Sequence, residues 1–138
     1  EQMQEWLRER SVEQEKHPSV DVREYIYDMA VVMRAADLVI SRAGASTISE
    51  LTALGMPAVM VPSPYVVANH QEKNARILEK HGGAVVLLEK DAGGDTLYDT
   101  TLSILSDLTR LQDMQRGMLS LGIPDATARI YDTVMSLL

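Results

Sequence analysis

The sequence predicts an α/β fold, with a parallel sheet that carries helices on both of its faces. Short apolar runs alternate at least three times with segments of helical periodicity, which is typical of strand-helix-strand units. The central runs are apolar at every position, so both faces of each strand are expected to be buried. With 138 residues and 46% hydrophobic content, the chain has the size of one domain.

The first part of the chain predicts two helices and one strand. Met3, Trp6 and Leu7 recur at helical spacing in a segment rich in Glu, Gln and Arg. From Val20 onward, β-branched and aromatic residues indicate a strand, and Asp28 is a suitable N-cap for a short apolar helix. The expected bounds are helix 1–10, loop 11–18, strand 20–26 and helix 29–36.

The middle of the chain predicts three strands separated by two helices. The strands are expected at 38–41, 58–61 and 84–88, and the helices at 47–54 and 69–80. Gly55 ends the first of these helices and His81-Gly82-Gly83 ends the second, while prolines follow the strand at 58–61. Asn69 and Glu72 have the spacing of a capping box at the start of the second helix.

The last third of the chain is predicted to be helical. Leucines recur at helical spacing across 96–119, and Asp125 is expected to cap a final helix. In that final helix, Ile130, Val134 and Leu137 are expected to face the core.

The turn 41–50 is the most informative motif. Ser41-Arg42-Ala43-Gly44-Ala45-Ser46-Thr47-Ile48-Ser49-Glu50 joins a buried strand to a helix, where free backbone N–H groups and the helix dipole favour an anion. Its small side chains let a ligand approach the main chain, and phosphate is the expected ligand. The alternative is structural: Thr47-x-x-Glu50 also has the spacing of a capping box, in which Glu50 satisfies its own backbone.

Composition narrows the classes of function. The chain has 13 basic and 20 acidic residues and a net charge of −7, which argues against broad binding to nucleic acid or to an anionic membrane. It has no cysteine and three histidines at spacings that match no familiar metal motif, so we expect neither a metal site nor a cofactor. No secretory signal or membrane span is apparent, and we expect a soluble, cytoplasmic domain.

Three segments are expected to line one edge of the sheet, because each follows the carboxyl end of a predicted strand. They are 25–28, 41–50 and 62–71. In open parallel sheets, ligands bind beyond the carboxyl ends of the strands. The sequence therefore predicts a ligand site formed by these three segments.

The order of motifs resembles the C-terminal half of the MurG family of bacterial N-acetylglucosaminyltransferases. The motifs are Tyr25-Ile26-Tyr27-Asp28-Met29, the turn 41–50 with Leu51, Gly55-Met56-Pro57, Asn69-His70-Gln71-Glu72-Lys73-Asn74-Ala75 and Ile123-Pro124-Asp125-Ala126-Thr127. The resemblance implies a Rossmann-like sheet, the C-terminal domain of a glycosyltransferase with two such domains. It also implies that 1–138 is the donor-binding domain without its first strand and glycine-rich loop, and without the N-terminal acceptor domain.

The resemblance implies roles for particular residues. The positions matching Ile26, Glu50 and Gln71 bind the uracil edge through the backbone, the ribose hydroxyls and the sugar hydroxyls, respectively. The backbone of the turn, at Gly44, Ala45, Ser46 and Thr47, lies beside the nucleotide. For Gln71 the alternative is an ordinary solvated helix residue.

Arg42 and His70 have less defined roles. Arg42 either supplies charge to the pyrophosphate or ties the loop to a nearby carboxylate, and the sequence does not separate the two. His70 is included among the binding residues, although a histidine in a first helical turn is more often exposed or capping.

The resemblance also implies an activity. Family members transfer N-acetylglucosamine from UDP-N-acetylglucosamine to lipid I, giving lipid II in peptidoglycan synthesis, by an inverting displacement. The family's acceptor site, candidate base and membrane-associating surface belong to the N-terminal domain, so this chain is expected to bind donor and to be inactive alone. The full-length enzyme is expected on the cytoplasmic face of the bacterial membrane.

Two other readings fit the turn. One is another two-domain glycosyltransferase, or a sugar-nucleotide epimerase, that shares the turn and Glu50. The other is a non-catalytic α/β module, in which the turn is only a capped helix start.

Overall fold

Three parallel strands form the sheet: β1 (Val39–Ser41), β2 (Ala58–Met60) and β3 (Ala84–Val86), with β2 between the other two. The structure is a computed structural model, and it describes residues 19–138. Val39 pairs with Ala58, and Ala58 pairs in turn with Ala84, so the three strands start and stop in line. The predicted parallel sheet is confirmed, with strands one or two residues shorter than expected.

Six α-helices complete the part of the chain that the structure describes. They are α1 (Met29–Ala35), α2 (Ala45–Leu54), α3 (His70–Lys80), α4 (Gly94–Leu105), α5 (Leu108–Leu119) and α6 (Ala126–Met135), and a 3-10 turn (Val67–Asn69) precedes α3. The predicted helix ends are confirmed at Gly55 and Gly82, which have φ angles of 66° and 74°. This left-handed conformation favours glycine, because a side chain there is strained.

The core lies on both faces of the sheet because side chains alternate along β2. Ala58 and Met60 belong to one buried cluster, which includes residues of α2 and α3. Val59 belongs to a second cluster with Ile104 of α4 and Met114 of α5. The three residues of β2 are fully buried. Helices therefore cover both faces, as the uniformly apolar strands predicted.

Helix α5 packs unusually close to the turn that ends α3. A Cβ atom added at Gly117 would lie 2.7 Å from Gly83 N and 2.8 Å from Gly82 C, and it would also clash with His81 O. Real Cβ atoms do not approach backbone this closely. Glycine at 117 is therefore what allows the helix backbone to contact the turn before β3.

The predicted strand at 20–26 is wrong. The described residues from Ser19 to Ile26 form no strand, and Tyr25 is exposed. Residue pattern alone does not make a strand, because its backbone groups need a neighbouring strand, and the sheet of the described residues offers this segment none. The predictions of a helix at 1–10 and a loop at 11–18 lie outside the described residues.

The helical region predicted at 96–119 is two helices rather than one. The chain leaves the helix at Ser106 and starts again at Leu108. Asp107 is the N-cap of α5, and its carboxylate accepts a hydrogen bond from the Arg110 N–H at 3.0 Å. An aspartate that satisfies a free N–H group in this way favours a helix start over a continuous helix.

The prediction that α6 turns its apolar residues inward is wrong. Ile130, Val134 and Leu137 are 66%, 52% and 81% exposed, and α6 has no buried residue. The spacing correctly identifies an apolar face, but no described element covers it. Asp125 is the N-cap residue as predicted, although its carboxylate contacts Arg129 Nε at 2.8 Å rather than the backbone.

The close approach at Gly117 predicts a strong effect of substitution. Gly117→Ala should lower the free energy of unfolding by about 2–3 kcal/mol, because the added methyl group collides with backbone that has no room to move. Chemical denaturation followed by circular dichroism measures this change. Gly94→Ala is the matched control: no atom lies within 4 Å of its added Cβ, so its stability should stay within about 0.5 kcal/mol of the parent. Equal effects of both variants would contradict the packing argument.

Candidate functional site

The turn after β1 ends in a helix start with free amides. Gly44 is the N-cap of α2, with extended backbone angles of φ −70° and ψ 148°, and the first helical hydrogen bond runs from Ile48 N to Gly44 O at 3.0 Å. The N–H groups of Ala45, Ser46 and Thr47 donate to no group among the described residues. Three donors at the positive end of a ten-residue helix favour an anion.

The alternative of a capping box at Thr47 and Glu50 is wrong. Because α2 starts at Ala45, Thr47 lies inside the first turn, and no side chain of the described residues caps the helix. Glu50 is exposed, and its carboxylate has no hydrogen bond or ion pair to any described residue. The carboxylate is thus available to a ligand, one helical turn beyond the free amides.

Arg42 ties the turn to the ends of the other two strands. Its Nη1 atom donates to Val61 O at 3.1 Å and to Glu89 Oε2 at 2.8 Å. Val61 directly follows β2, and Glu89 lies three residues beyond β3. Of the two roles left open by the sequence, the structure therefore shows the tie to a carboxylate.

Gln71 braces the loop after β2 against the start of α3. Its side-chain oxygen Oε1 accepts a hydrogen bond from Ser63 N at 2.9 Å, and the residue is half-buried. It is therefore not a freely solvated helix residue. The two N–H groups of its Nε2 atom have no partner among the described residues, so the amide still has donors to offer a ligand.

His70 makes a local contact at the start of α3. Its Nδ1 atom lies 2.9 Å from Val67 O in the preceding turn, and the side chain is exposed. This contact matches the structural alternative considered for His70. The Nε2 atom faces no partner among the residues that the structure describes.

The chain enters α3 through two residues in the left-handed conformation. Ala68 and Asn69 have φ angles of 53° and 51°, which are uncommon for residues other than glycine. The predicted capping box of Asn69 and Glu72 is wrong, because the Asn69 side chain does not cap the backbone. Instead, Asn69 Nδ2 donates to Glu72 Oε2 at 2.6 Å.

Glu79 joins α3 to β3, and an ion-pair ladder within α3 holds the Glu79 side chain. Arg76 contacts Glu79 at 2.8 Å and Glu72 at 3.6 Å, and the hydrogen bond to Glu79 raises the pKa of Arg76 above its ordinary value. The second oxygen of Glu79 accepts a hydrogen bond from Val86 N at 3.2 Å. The helix that carries Gln71 is thereby fixed to β3.

The segment around Ile26 lies apart from these contacts. Tyr25 and Tyr27 pack edge to face, with ring centroids 4.8 Å apart, and they are 69% and 89% exposed. Ile26 between them is half-buried. Among the described residues, no hydrogen bond joins 25–28 to the turn 41–50 or to the loop 62–71. The turn 41–50 bonds to Val61, the residue directly before the loop 62–71, through Ser41 O and the Arg42 side chain.

A groove of about 390 Å³ runs between α2 and α3. Its lining includes Ala45 and Ser49 of α2, Asn74 and Ile77 of α3, and Ile123 before α6. Asn74 has no role in the sequence-based site, yet it shares this groove with the first residue of α2. Its spacing from Gln71, three positions along one helix, was the signal that both amides lie on the same side of α3.

No metal site is found in the part of the chain that the structure describes. Within residues 19–138, no three His, Cys, Asp or Glu side chains are grouped so that they could hold a metal ion. None of the helices in the same range is long and apolar enough to cross a membrane.

Comparison with known families decides what kind of domain this is. The profile of the glycosyltransferase family 28 C-terminal domain matches residues 2–130. The chain belongs to this family. The fold class and the glycosyltransferase relationship inferred from the motifs are thereby confirmed for the family 28 domain.

Two curated relatives of the family 28 domain carry the same name. The enzyme "UDP-N-acetylglucosamine--N-acetylmuramyl-(pentapeptide) pyrophosphoryl-undecaprenol N-acetylglucosamine transferase" of Acetivibrio thermocellus is 50% identical over 123 residues, covering 89% of this chain and 33% of the relative. The enzyme of that name from Listeria monocytogenes is 47% identical over 119 residues, covering 86% and 33%. The chain thus spans about a third of the length of these relatives.

Solved structures agree with the sheet arrangement. The crystal structure of Acinetobacter baumannii MurG superposes with a TM-score of 0.75 at 32% identity, over 84% of this chain and 33% of that one. The glycosyltransferase of kitacinnamycin superposes with a TM-score of 0.63 at 24% identity, over 84% and 30%. The second likeness shows the fold alone, while the first supports the resemblance to the MurG family.

The absence of a capping role for Glu50 is testable by stability. Glu50→Ala in the family 28 domain should change the free energy of unfolding by less than about 0.5 kcal/mol, because the carboxylate bonds to nothing in the described fold. Asp107→Ala is the matched control, since it removes an acidic side chain that does cap a helix, and it should cost about 1 kcal/mol. Urea denaturation measures both. A loss at Glu50 as large as that at Asp107 would restore the capping-box interpretation.

Proposed function

We propose that this chain is the donor-binding domain of an enzyme that transfers N-acetylglucosamine from UDP-N-acetylglucosamine to an undecaprenyl-pyrophosphoryl N-acetylmuramyl-pentapeptide acceptor. The observation that supports the proposal most is the position of Glu50. Among residues 19–138, neither this carboxylate nor the three amides one helical turn before it have a partner, and the domain belongs to glycosyltransferase family 28. A nucleoside diphosphate has an anionic group and vicinal hydroxyls, which suit these two features.

In this proposal the nucleotide is bound in two parts. The amides of Ala45, Ser46 and Thr47 bind the diphosphate, with Gly44 leaving room for the ligand to approach. The Glu50 carboxylate accepts hydrogen bonds from both ribose hydroxyls, an arrangement in which each bond is charge-assisted.

The remaining site residues bind the two ends of the donor. The backbone at Ile26 binds the uracil edge, and the Gln71 amide binds the hydroxyls of the sugar. Gln71 is suited to this role because its oxygen is already held by Ser63, so its free N–H groups are kept in one orientation. His70 is adjacent to Gln71 and borders the same site.

The chemistry proposed for this domain concerns the leaving group. In an inverting transfer, the acceptor hydroxyl attacks the anomeric carbon, the bond from that carbon to the diphosphate oxygen breaks, and UDP departs. The negative charge that develops on the diphosphate is stabilised by preorganised N–H donors. The base that takes the proton of the acceptor, and the acceptor site itself, belong to the remaining two thirds of an enzyme of the relatives' length.

Membrane contact is also assigned to the part of the enzyme outside this domain. The acceptor in the relatives' printed name is a polyprenyl lipid, and we propose that contact with it, and with the cytoplasmic face of the membrane, is made by the other domain. The donor domain would then face the aqueous side.

Calorimetric titration with UDP tests the nucleotide site. Glu50→Ala should raise the Kd for UDP about 10- to 100-fold, because two charge-assisted hydrogen bonds to the ribose are lost. Asp99→Ala is the matched control: it removes an exposed acidic side chain from α4, and it should leave the Kd unchanged. If the parent protein bound no UDP at millimolar concentration, the chain would be a non-catalytic module and the proposal would fail.

The proposed sugar contact predicts a selective loss. Gln71→Glu keeps the side-chain oxygen that accepts from Ser63 N but removes both amide N–H donors. The added negative charge weakens both ligands through the diphosphate that they share, so UDP-N-acetylglucosamine binding should fall about 3- to 10-fold more than UDP binding. Competition between the two ligands, followed by calorimetry, gives the ratio of their Kd values for the parent and for the variant. An equal loss for UDP would show that Gln71 acts only through the loop, and equal binding of UDP-glucose by the parent would favour a different transferase or an epimerase.

A further inference from the structure

One nitrogen atom of Arg42 joins the carboxyl ends of all three strands. Arg42 follows β1, its Nη1 atom donates to the carbonyl of Val61 after β2, and the same atom contacts Glu89 beyond β3. An η nitrogen of arginine has two N–H groups, so these two acceptors use it fully. The position of the guanidinium is therefore set by two neighbouring loops together.

The other side of the guanidinium contacts no acceptor in the described part of the chain. The Nε and Nη2 atoms of Arg42 have no hydrogen-bond partner among residues 19–138, which leaves three N–H groups. The Nε–H and one Nη2–H lie along one edge of the planar group, in the arrangement that binds two oxygens of a phosphate at once. Holding Nη1 in place thus leaves the edge that is suited to phosphate available.

Stability alone gives little reason for this contact. The side chains of Arg42 and Glu89 are 51% and 37% exposed, and an ion pair this accessible to water contributes little to the free energy of folding. The strands are already held by their own ladder of backbone hydrogen bonds. The contact does fix the orientation of a charged side chain, two residues before the N-cap of the helix with free amides.

We propose that Glu89 is a positioning residue for the diphosphate of the donor. By holding Nη1 together with Val61, it keeps the Nε and Nη2 edge of Arg42 available to phosphate oxygens beside the amides of Ala45 to Thr47. Arg42 then both ties the loop and supplies charge. This inference rests on the proposed function, because it assigns Glu89 to the same nucleotide site.

The test compares UDP with uridine, which lacks the diphosphate, by calorimetry on the full-length enzyme. Glu89→Ala should raise the Kd for UDP about tenfold and change the Kd for uridine less than twofold. Asp91→Ala is the matched control, because Asp91 is exposed, lies two residues after Glu89 and carries the same charge. It should change neither value. Glu89→Gln, which retains an oxygen at the same reach, should recover part of the loss.

A double-mutant cycle separates positioning from a general charge effect. Arg42→Lys keeps an amine for Val61 and Glu89 but has no second edge, so it should also weaken UDP about tenfold. If Glu89 acts through Arg42, the double variant Arg42→Lys with Glu89→Ala should lose no more than either single variant. Independent effects would multiply to about a hundredfold. In steady-state assays, the KM for donor should rise in each variant while the KM for acceptor stays unchanged.

The outcomes distinguish this inference from the proposed function. If the parent enzyme bound UDP and Glu89→Ala behaved as Asp91→Ala, the positioning role would be overturned and the nucleotide site would stand. A parallel loss for uridine and UDP, with a lower melting temperature, would assign Glu89 to the fold and would equally overturn the role. Absence of UDP binding in the parent would reject the nucleotide site itself, and this inference with it.

Discussion

The parallel register of the three strands determines where the candidate ligand-binding groups of the turn 41–50 and of α3 lie. Ser41 pairs with Met60, and Met60 pairs with Val86, so all three strands stop at the same level. The residues that follow must leave the sheet at one edge, because the chain has to return through a helix to start the next parallel strand. The amides of α2, the loop braced by Gln71 and the carboxylate of Glu89 lie beyond that edge for this reason. Burial of β2 on both faces holds the register in place.

The two ends of the sheet have different physical character. At the carboxyl end, polar side chains connect loops to one another, as in the contacts of Arg42 and Gln71, and much of the surface is open to water. At the amino end of β3, backbone lies directly against backbone at Gly117, and α5 contributes to both core clusters through Met114 and Met118. The loops at the carboxyl end are held by separate side-chain hydrogen bonds, and substitutions remove these one at a time. The amino end depends on packing that has no tolerance for an added atom.

Features set by local sequence were predictable. The buried strands, the glycines that end α2 and α3, and the strand-to-helix turn each follow from residues within a few positions of one another. The strand at 20–26 was mispredicted because its formation depends on a neighbouring strand. The inward face of α6 was mispredicted because apolar spacing identifies a face without saying what covers it. The break at Ser106 was missed because leucines continue at helical spacing on both sides of Asp107.

In the site, too, features set by local sequence were predictable, and features set by packing between distant segments were not. The turn was recognisable, but whether Thr47 and Glu50 cap the helix depended on a helix start that lies two residues earlier than predicted. The partner of Arg42 could not be identified from sequence, because Glu89 is 47 positions away and only the sheet brings them together. Asn74 was visible in a motif, yet its place beside Ala45 required the packing of α2 on α3. Family resemblance supplied residue roles that spacing alone did not.

Gly44 at the N-cap of α2 has an energetic consequence. A serine or aspartate there could accept a hydrogen bond from a backbone N–H of the first helical turn, whereas glycine has no side chain to accept it. Any anion that docks on the three amides acts as the absent capping group, and it binds the folded chain far better than the unfolded one. By mass action, the melting temperature of the domain then rises with the logarithm of ligand concentration above Kd. Under the proposed function, the heat resistance of the domain therefore depends on the concentration of this anion as well as on the amino-acid sequence.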